Sequence, residues 1–497
     1  MRLASQLSNI SRWRFFPPLA LLLILAIGTG LRANRLGFKS LWHDEAIIYW
    51  ISQGGSSSLL AENASLNSAP PLFPFLVALS SLIGHSEPIL RGLPFLAGAL
   101  SIVAMYALGR RFFSQGAALL CAAILAVSPV QISYAQELRE YSLSVLFAIL
   151  MVLAYEIFVR VPTWRNSAIV AIVVVVGIFT QYGLALLCLA LSLVAAIRII
   201  LTQIPRRPAL VMWVSIQVAT LVAAVAIYGL SFRYQWQPGG FAADNYLSEA
   251  YWTGNSIASA LSFVVTRSKD IVAYSFPGYT FVLLFYAGVV LLVLSPRRWG
   301  MTLVIGAPFV VVATAGLAGL YPYHGARQDL FLTPMIYLVV AFALDYLLDN
   351  DPKKVLPMLF LGLMASSAIQ LLPAYFTSEG QSAAGKVVER LESLVQPGDP
   401  IYVCEDDPVF RYYLRVRHVM PANPVVVGIQ EVAQGPRDYL DQVDELLADE
   451  GRAWMLTTKW CGDMTPLLTH VAREWTVDLV YEKEPDGKLY YAHSGLE

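Results

Sequence analysis

The chain has 497 residues, 57% hydrophobic and 14% charged, with a mean hydropathy of +0.58. Soluble domains carry about 25% charged residues, so the composition excludes a wholly soluble protein and points to a polytopic membrane protein with some soluble part. A formal net charge of −1 gives no case for nucleic acid, whose binding rests on lysine and arginine neutralising phosphates.

Arg2, Arg12 and Arg14 precede the first apolar run. This resembles a secretory signal, but no small-residue cleavage site follows, and the segment reads as a retained helix. Apolar segments that can span fall near 17–37, 92–109, 116–130, 141–159, 167–181, 183–200, 209–230, 271–294, 301–320, 329–348 and 355–373. Several are shorter than the roughly 20 residues of an ideal span. The stretch 70–84 opens on Pro70 and Pro71 and either crosses or lies at the interface. Loop charges decide. With a cytoplasmic N-terminus and 70–84 not crossing, Arg110–Arg111, Arg206–Arg207, Arg297–Arg298 and Lys353–Lys354 all fall inside, as do Arg160 and Arg165. The expected fold is therefore a polytopic α-helical membrane protein of about eleven transmembrane helices (residues 1–374). A soluble α/β domain (375–497) follows on the external face of a cytoplasmic (inner) membrane.

That topology puts four stretches on the outer face: 38–91, 130–141, 231–270 and 321–328. The first holds Leu41–Trp50, LWHDEAIIYW, with adjacent carboxylates Asp44 and Glu45 among aromatic residues suited to the headgroup level. Two readings are open. A carboxylate at the water–lipid boundary can act as a general base, or the pair caps a short helix at its positive end. Arg91, Arg139 and Arg327 lie on the same face, against the inside bias. Charges in or beside spans cost roughly 2.5–3.5 kcal/mol on insertion scales and usually mark function, although arginine also snorkels. The loop 234–255 offers Tyr234, Trp236, Tyr246 and Trp252, either as a lid stacking on sugar faces or as an interfacial belt.

Beyond 374 the pattern becomes soluble. Strand-like IYVC (401–404), helical PVFRYYLRV, strand-like PVVVGI, helical DYLDQVDELLADEG, strand-like AWMLTT, helical PLLTHVARE and a hairpin turning at Asp486–Gly487 alternate. Alternation of this kind implies a small layered α/β domain. Cys121 and Cys188 lie in apolar runs and read as small core residues. Cys404 and Cys461 flank predicted strands, and a disulfide between them is expected in an oxidising compartment. Asn63-Ala64-Ser65 has the form of a glycosylation sequon, a triplet common by chance.

Three motifs carry a family resemblance. LWHDEAIIYW followed by APPLFPF, then SPVQISYAQELREYSL, then GARQDLFLTPMIYL together resemble the polyprenyl-phosphate-sugar-dependent glycosyltransferases of the GT-C superfamily. The likeness is to glycosyltransferase family 39 and its bacterial relatives, the protein O-mannosyltransferases and the lipid A aminoarabinose transferase among them. It covers roughly residues 15–350.

The resemblance implies an inverting transfer from a polyprenyl-phosphate sugar to a hydroxyl of a glycan, lipid or protein acceptor. Asp44 matches the base, and Glu45 is the neighbouring catalytic candidate that would orient the base or acceptor. Arg139, Arg327, His324 and Arg91 are the candidates for the donor phosphate. His43, Tyr49, Gln136, Glu137, Tyr141, Trp236 and Tyr246 are the candidates for substrate contact. The chain lacks a second-loop aspartate and a basic residue just after PPL, departures that leave the sugar open. A metal-free site is expected, because adjacent helical carboxylates diverge, although a divalent ion on Asp44 and Glu45 is chemically conceivable. The competing readings are a flippase for a lipid-linked saccharide and a membrane-anchored scaffold. A transporter favours ionisable groups in mid-membrane; here they gather on one face.

Overall fold

The computed structural model describes residues 2–201, 206–235, 247–350, 355–377, 382–403, 407–420, 422–427, 437–457, 465–483 and 487–494. Cys404, Cys461, Trp236 and Tyr246 lie outside the described residues, so the expected disulfide and two of the aromatic contacts do too.

In chain order the helices are α1 (Arg2–Ala33), α2 (His43–Gln53), α3 (Ser56–Leu66), α4 (Leu72–Ser81), α5 (Glu87–Leu90), α6 (Gly92–Phe112), α7 (Gln115–Val127), α8 (Pro129–Ala135) and α9 (Tyr141–Arg160). There follow α10 (Trp164–Thr180), α11 (Gly183–Leu201), α12 (Arg206–Ile227), a π-turn (Tyr228–Phe232), α13 (Arg233–Gln235), α14 (Ile257–Ser275), α15 (Tyr279–Val293), α16 (Trp299–Leu317), α17 (Thr333–Asn350) and α18 (Val355–Thr377). The C-terminal part runs α19 (Ala384–Glu392), β1 (Ile401–Val403), α20 (Pro408–Val416), β2 (Val425–Val427), α21 (Arg437–Glu450), β3 (Arg452–Thr457), α22 (Thr465–Val471), β4 (Thr476–Lys483) and β5 (Gly487–His493).

The chain divides into two units. The first comprises Met1–Asn34, Gly55–Leu76 and Arg91–Phe376; the second comprises Arg35–Gly54, Val77–Leu90 and Thr377–Glu497.

The first unit is a helical bundle. Among the described residues, six helical runs are long and apolar enough to cross a membrane, and α7 with α8, bent by 58°, makes a seventh. The eleven apolar segments of the sequence are thus more than the full-length spans. The apolar parts of α1, α10, α15 and α18 are shorter helices. At ten residues, α4 rises about 15 Å, half of a hydrocarbon core of about 30 Å.

A helix that is apolar all round is either wrapped by others or faces lipid, and α17 is wrapped: Met335–Leu344 are at most 2% exposed. Its neighbour α15 comes close because Gly288 has no side chain. A Cβ there would sit 2.6 Å from the Val339 carbonyl oxygen. Pro129 breaks α7 from α8, since the residue before proline is pushed out of helical geometry. The break is fastened by polar groups. Ser128 donates to the Ser275 carbonyl at 2.9 Å, the Tyr337 hydroxyl lies 3.0 Å from both, and Gln131 donates to Thr333 at 2.9 Å.

Arg32, fully buried, donates to the carbonyls of Gly28 and Ala126 at 2.8 Å and of Leu125 at 3.0 Å. It ties α1 to the C-terminal end of α7, where unpaired carbonyls favour a cation. Asn63 is fully buried and donates to the Ala69 carbonyl and to Ser231. The sequon therefore sits in a packed helix, unfit for glycan attachment.

The long loop expected at 231–270 is corrected: α14 begins inside it. Ser256 accepts from the Ser259 amide at 3.2 Å and Ser259 accepts from the Ser256 amide at 3.3 Å, a reciprocal cap that starts the helix well before the apolar run.

In the second unit, a five-stranded sheet has the order β2-β1-β3-β5-β4. β1 is parallel to β2 and β3, while β3, β5 and β4 are antiparallel. The α/β alternation read from the sequence is realised. Gly451, at φ +72°, closes α21 in the left-handed conformation glycine adopts at helix ends. α21 and α22 cover β3 through Val443, Leu447, Leu467 and Met455, all at most 1% exposed.

Candidate active site

In the first unit, two arginines 188 positions apart in sequence meet at one aromatic ring. The Arg139 guanidinium lies 5.5 Å and that of Arg327 5.8 Å from the ring centre of Tyr141, within the range of cation–π attraction. Tyr141 is 4% exposed and meets Tyr134 edge-on at 5.0 Å. The Tyr134 hydroxyl in turn bonds that of Tyr274 at 2.7 Å.

Each arginine is held from behind. Arg139 bonds Glu140 through Nε at 3.2 Å, and the carboxylate is only 2% exposed. Arg327 opens a 3₁₀ turn, Arg327–Leu332. The Gln328 carbonyl of that turn accepts from Gln181 at 3.0 Å and from Tyr321 at 2.9 Å. Asp329, 1% exposed, accepts from the His324 amide at 2.9 Å. Two guanidinium groups fixed beside a buried ring offer planar, multi-donor recognition of a phosphate.

His324 is expected as a third cation, but burial, and secondarily the Arg267 guanidinium, lowers its pKa below the usual imidazole value against the pull of Asp270 and Glu249, which disfavours its charged form. Arg91 is 2% exposed at the start of α6. Gln136 turns its amide nitrogen to the carbonyls of Leu31, Arg32 and Asn34 at 3.3, 3.0 and 2.6 Å. It closes the end of α1 where substrate contact was expected. Glu137 is half-buried, and its carbonyl accepts from the Arg139 amide at 2.7 Å.

The second unit holds the acidic pair. Trp42 precedes α2, so Asp44 and Glu45 fall in its first turn. Of the two sequence readings, the helix cap is seen on Glu45. Glu45, 1% exposed, accepts from the Trp42 amide at 3.2 Å and is the helix cap. Asp44, like His43, is half-buried.

Tyr49 was expected to touch substrate, but it is fully buried in the second unit, edge-on to Tyr412 at 4.8 Å and to His85 at 5.8 Å. Burial raises the Tyr49 pKa, against Arg415, and lowers that of His85, with Arg415 adding to the effect. The Tyr49 hydroxyl and His85 Nδ1 are hydrogen-bonded at 3.3 Å. Because His85 binds its proton less readily folded than unfolded, its contribution is complete above about 6.5 and fades as pH falls below it. His324 has the same sign. Lowering pH from 7.5 to 5.5 should therefore depress the melting temperature, and His85→Asn should flatten that slope. An unchanged slope in the variant would remove His85 from the account.

Sequence reasoning missed Arg32, Asp329 and the pairing of buried Glu156 with Arg198. An ionisable residue within or beside an apolar run was the available signal.

Residues 68–234 match the family model for dolichyl-phosphate-mannose-protein mannosyltransferase. The fold is similar to that of ArnT from Cupriavidus metallidurans bound to undecaprenyl phosphate, at a TM-score of 0.60 and 14% identity over 98% of this chain and 99% of that one. The chain has the fold of ArnT. The likeness of fold extends to AglB, the archaeal oligosaccharyltransferase from Archaeoglobus fulgidus, in complex with an inhibitory peptide and a dolichol-phosphate. There the TM-score is 0.51 at 11% identity, covering 97% of this chain and 74% of that one. No curated protein matches at a significant level. The family match includes the second of the three sequence motifs, with Arg139 and Tyr141.

Proposed function

We propose that this GT-C protein is an inverting glycosyltransferase. It moves a hexose or pentose from a polyprenyl-phosphate donor to an acceptor hydroxyl of a glycan, lipid or protein. In this reading the chain crosses the inner membrane eleven times, the shorter apolar helices completing the count. The chemistry and the C-terminal domain lie on the external side. Asp44 takes the proton of the acceptor hydroxyl, whose oxygen attacks the anomeric carbon. The bond from that carbon to the phosphate oxygen breaks with inversion. Arg139 and Arg327 meet the negative charge that develops on the departing polyprenyl phosphate, where preorganised cations lower the barrier most.

The convergence of those two arginines on Tyr141 carries the reading. Lipid phosphates in the ArnT and AglB structures, undecaprenyl phosphate and dolichol-phosphate, support a donor of this class. No metal is required: a sugar phosphate is already a competent leaving group once its charge is met.

The test is release of free polyprenyl phosphate when purified protein is incubated with a polyprenyl-phosphate sugar, with and without chelator. Transfer or slow hydrolysis liberates it in both arms. A flippase or scaffold liberates none, and activity confined to the chelator-free arm would overturn the metal-free reading.

A further inference from the structure

The acidic helix α2 lies early in the chain, yet what holds it comes from the far end. Tyr413 of α20, 3% exposed, accepts from the Leu41 amide at 2.8 Å and donates to Glu87 at 2.9 Å. One hydroxyl thus fastens the residue just ahead of α2 to α5. At the other end of α2, the Trp50 indole donates to the Pro408 carbonyl, the first residue of α20, at 2.9 Å. The Arg415 guanidinium lies 5.6 Å from the Trp50 ring centre. Helix α2 is therefore pinned at both ends by one short helix of the C-terminal domain, and Asp44 lies three residues from the first pin.

We infer that α20 is a positioning element for catalysis, with the Tyr413 hydroxyl setting where α2 presents Asp44. The inference rests on Asp44 being the base. It gives the C-terminal domain a task in holding α2. A general base works only within hydrogen-bond reach of its proton, and a displacement near 1 Å can lower a rate by about 10²-fold.

The experiment uses full-length protein carrying Tyr413→Phe, which keeps the buried ring and removes the hydroxyl. Glu87→Gln, which keeps an acceptor oxygen, is the conservative control, and Asp44→Asn is the reference. Expected for Tyr413→Phe is a kcat lowered about 10- to 100-fold, a donor KM unchanged within about twofold, and faster amide exchange over residues 41–53. The melting temperature should stay near wild type, and Glu87→Gln should keep a wild-type kcat. A purely structural role would not separate kcat from KM in an enzyme assayed well below its melting temperature. Unchanged exchange over 41–53 would overturn the pin. Faster exchange with unchanged kcat, in an enzyme that Asp44→Asn inactivates, would overturn the positioning role alone. An active Asp44→Asn enzyme would instead remove the base on which the inference stands.

Discussion

Asp44→Asn is expected to abolish sugar transfer while leaving expression, folding and donor binding close to wild type. The asparagine side chain has nearly the same volume and cannot take a proton. A positioned general base contributes about 10²–10⁴-fold, so the residual rate should lie at or below about 1%. Stability should change little. A carboxylate in a first helical turn contributes about 0.3–1 kcal/mol through the helix dipole, and the cap itself is made by Glu45. Loss of activity without loss of fold therefore has one natural cause. Retention of more than about a tenth of the wild-type initial rate by the purified variant would remove Asp44 from the base role. Glu45→Gln supplies the contrast. Its amide oxygen still accepts from the Trp42 amide, so transfer should survive.

Arg327→Ala is the second large effect: a loss on the order of 10²–10³-fold in kcat/KM, by analogy with deletion of one donor from a preorganised anion site. The position of Arg327 makes this the cleaner arginine to test. The turn that carries it is fixed by the contacts of Gln328 and Asp329, which the substitution leaves in place. Arg139 is different. Its removal strips the partner from Glu140, a carboxylate only 2% exposed, and breaking a buried ion pair costs about 3–5 kcal/mol. Against a total stability of about 5–15 kcal/mol, Arg139→Ala should appear first as poor yield or a lowered melting temperature. The measurement for Arg327→Ala is affinity for polyprenyl phosphate alongside turnover. Unaltered affinity together with unaltered turnover would separate Arg327 from the phosphate.

Much of this was readable from residues, and the omissions share a cause. The alternation of strands and helices after residue 374 predicted β1 to β5 because each element is short and carries its own period or turn chemistry. Apolar runs located the bundle helices for the same reason. Helix α14 was missed because Arg267, Lys269 and Asp270 dilute its apolar character; only the serines at 256 and 259 announced its start. The arginine pair was nominated by its position against the charge bias, but its meeting at Tyr141 joins distant segments and no local pattern encodes that. The reading of His324 as a cation could not include its burial, which disfavours the charged form and belongs to the folded chain. Gln136 and Tyr49 were read as substrate contacts for the same reason: nothing local told of the α1 carbonyls or of the aromatic cluster with Tyr412.

The second unit gathers segments at 35–54, 77–90 and 377–497, which imposes a schedule on biogenesis. The acidic helix leaves the ribosome roughly 320 residues before the chain that will cradle it, a delay of roughly 15 to 65 s at 5–20 residues per second. Until translation ends, that segment has no permanent home. On the proposed function, a nascent chain halted after the last bundle helix would lack the helix α20 that holds α2 and should be inactive.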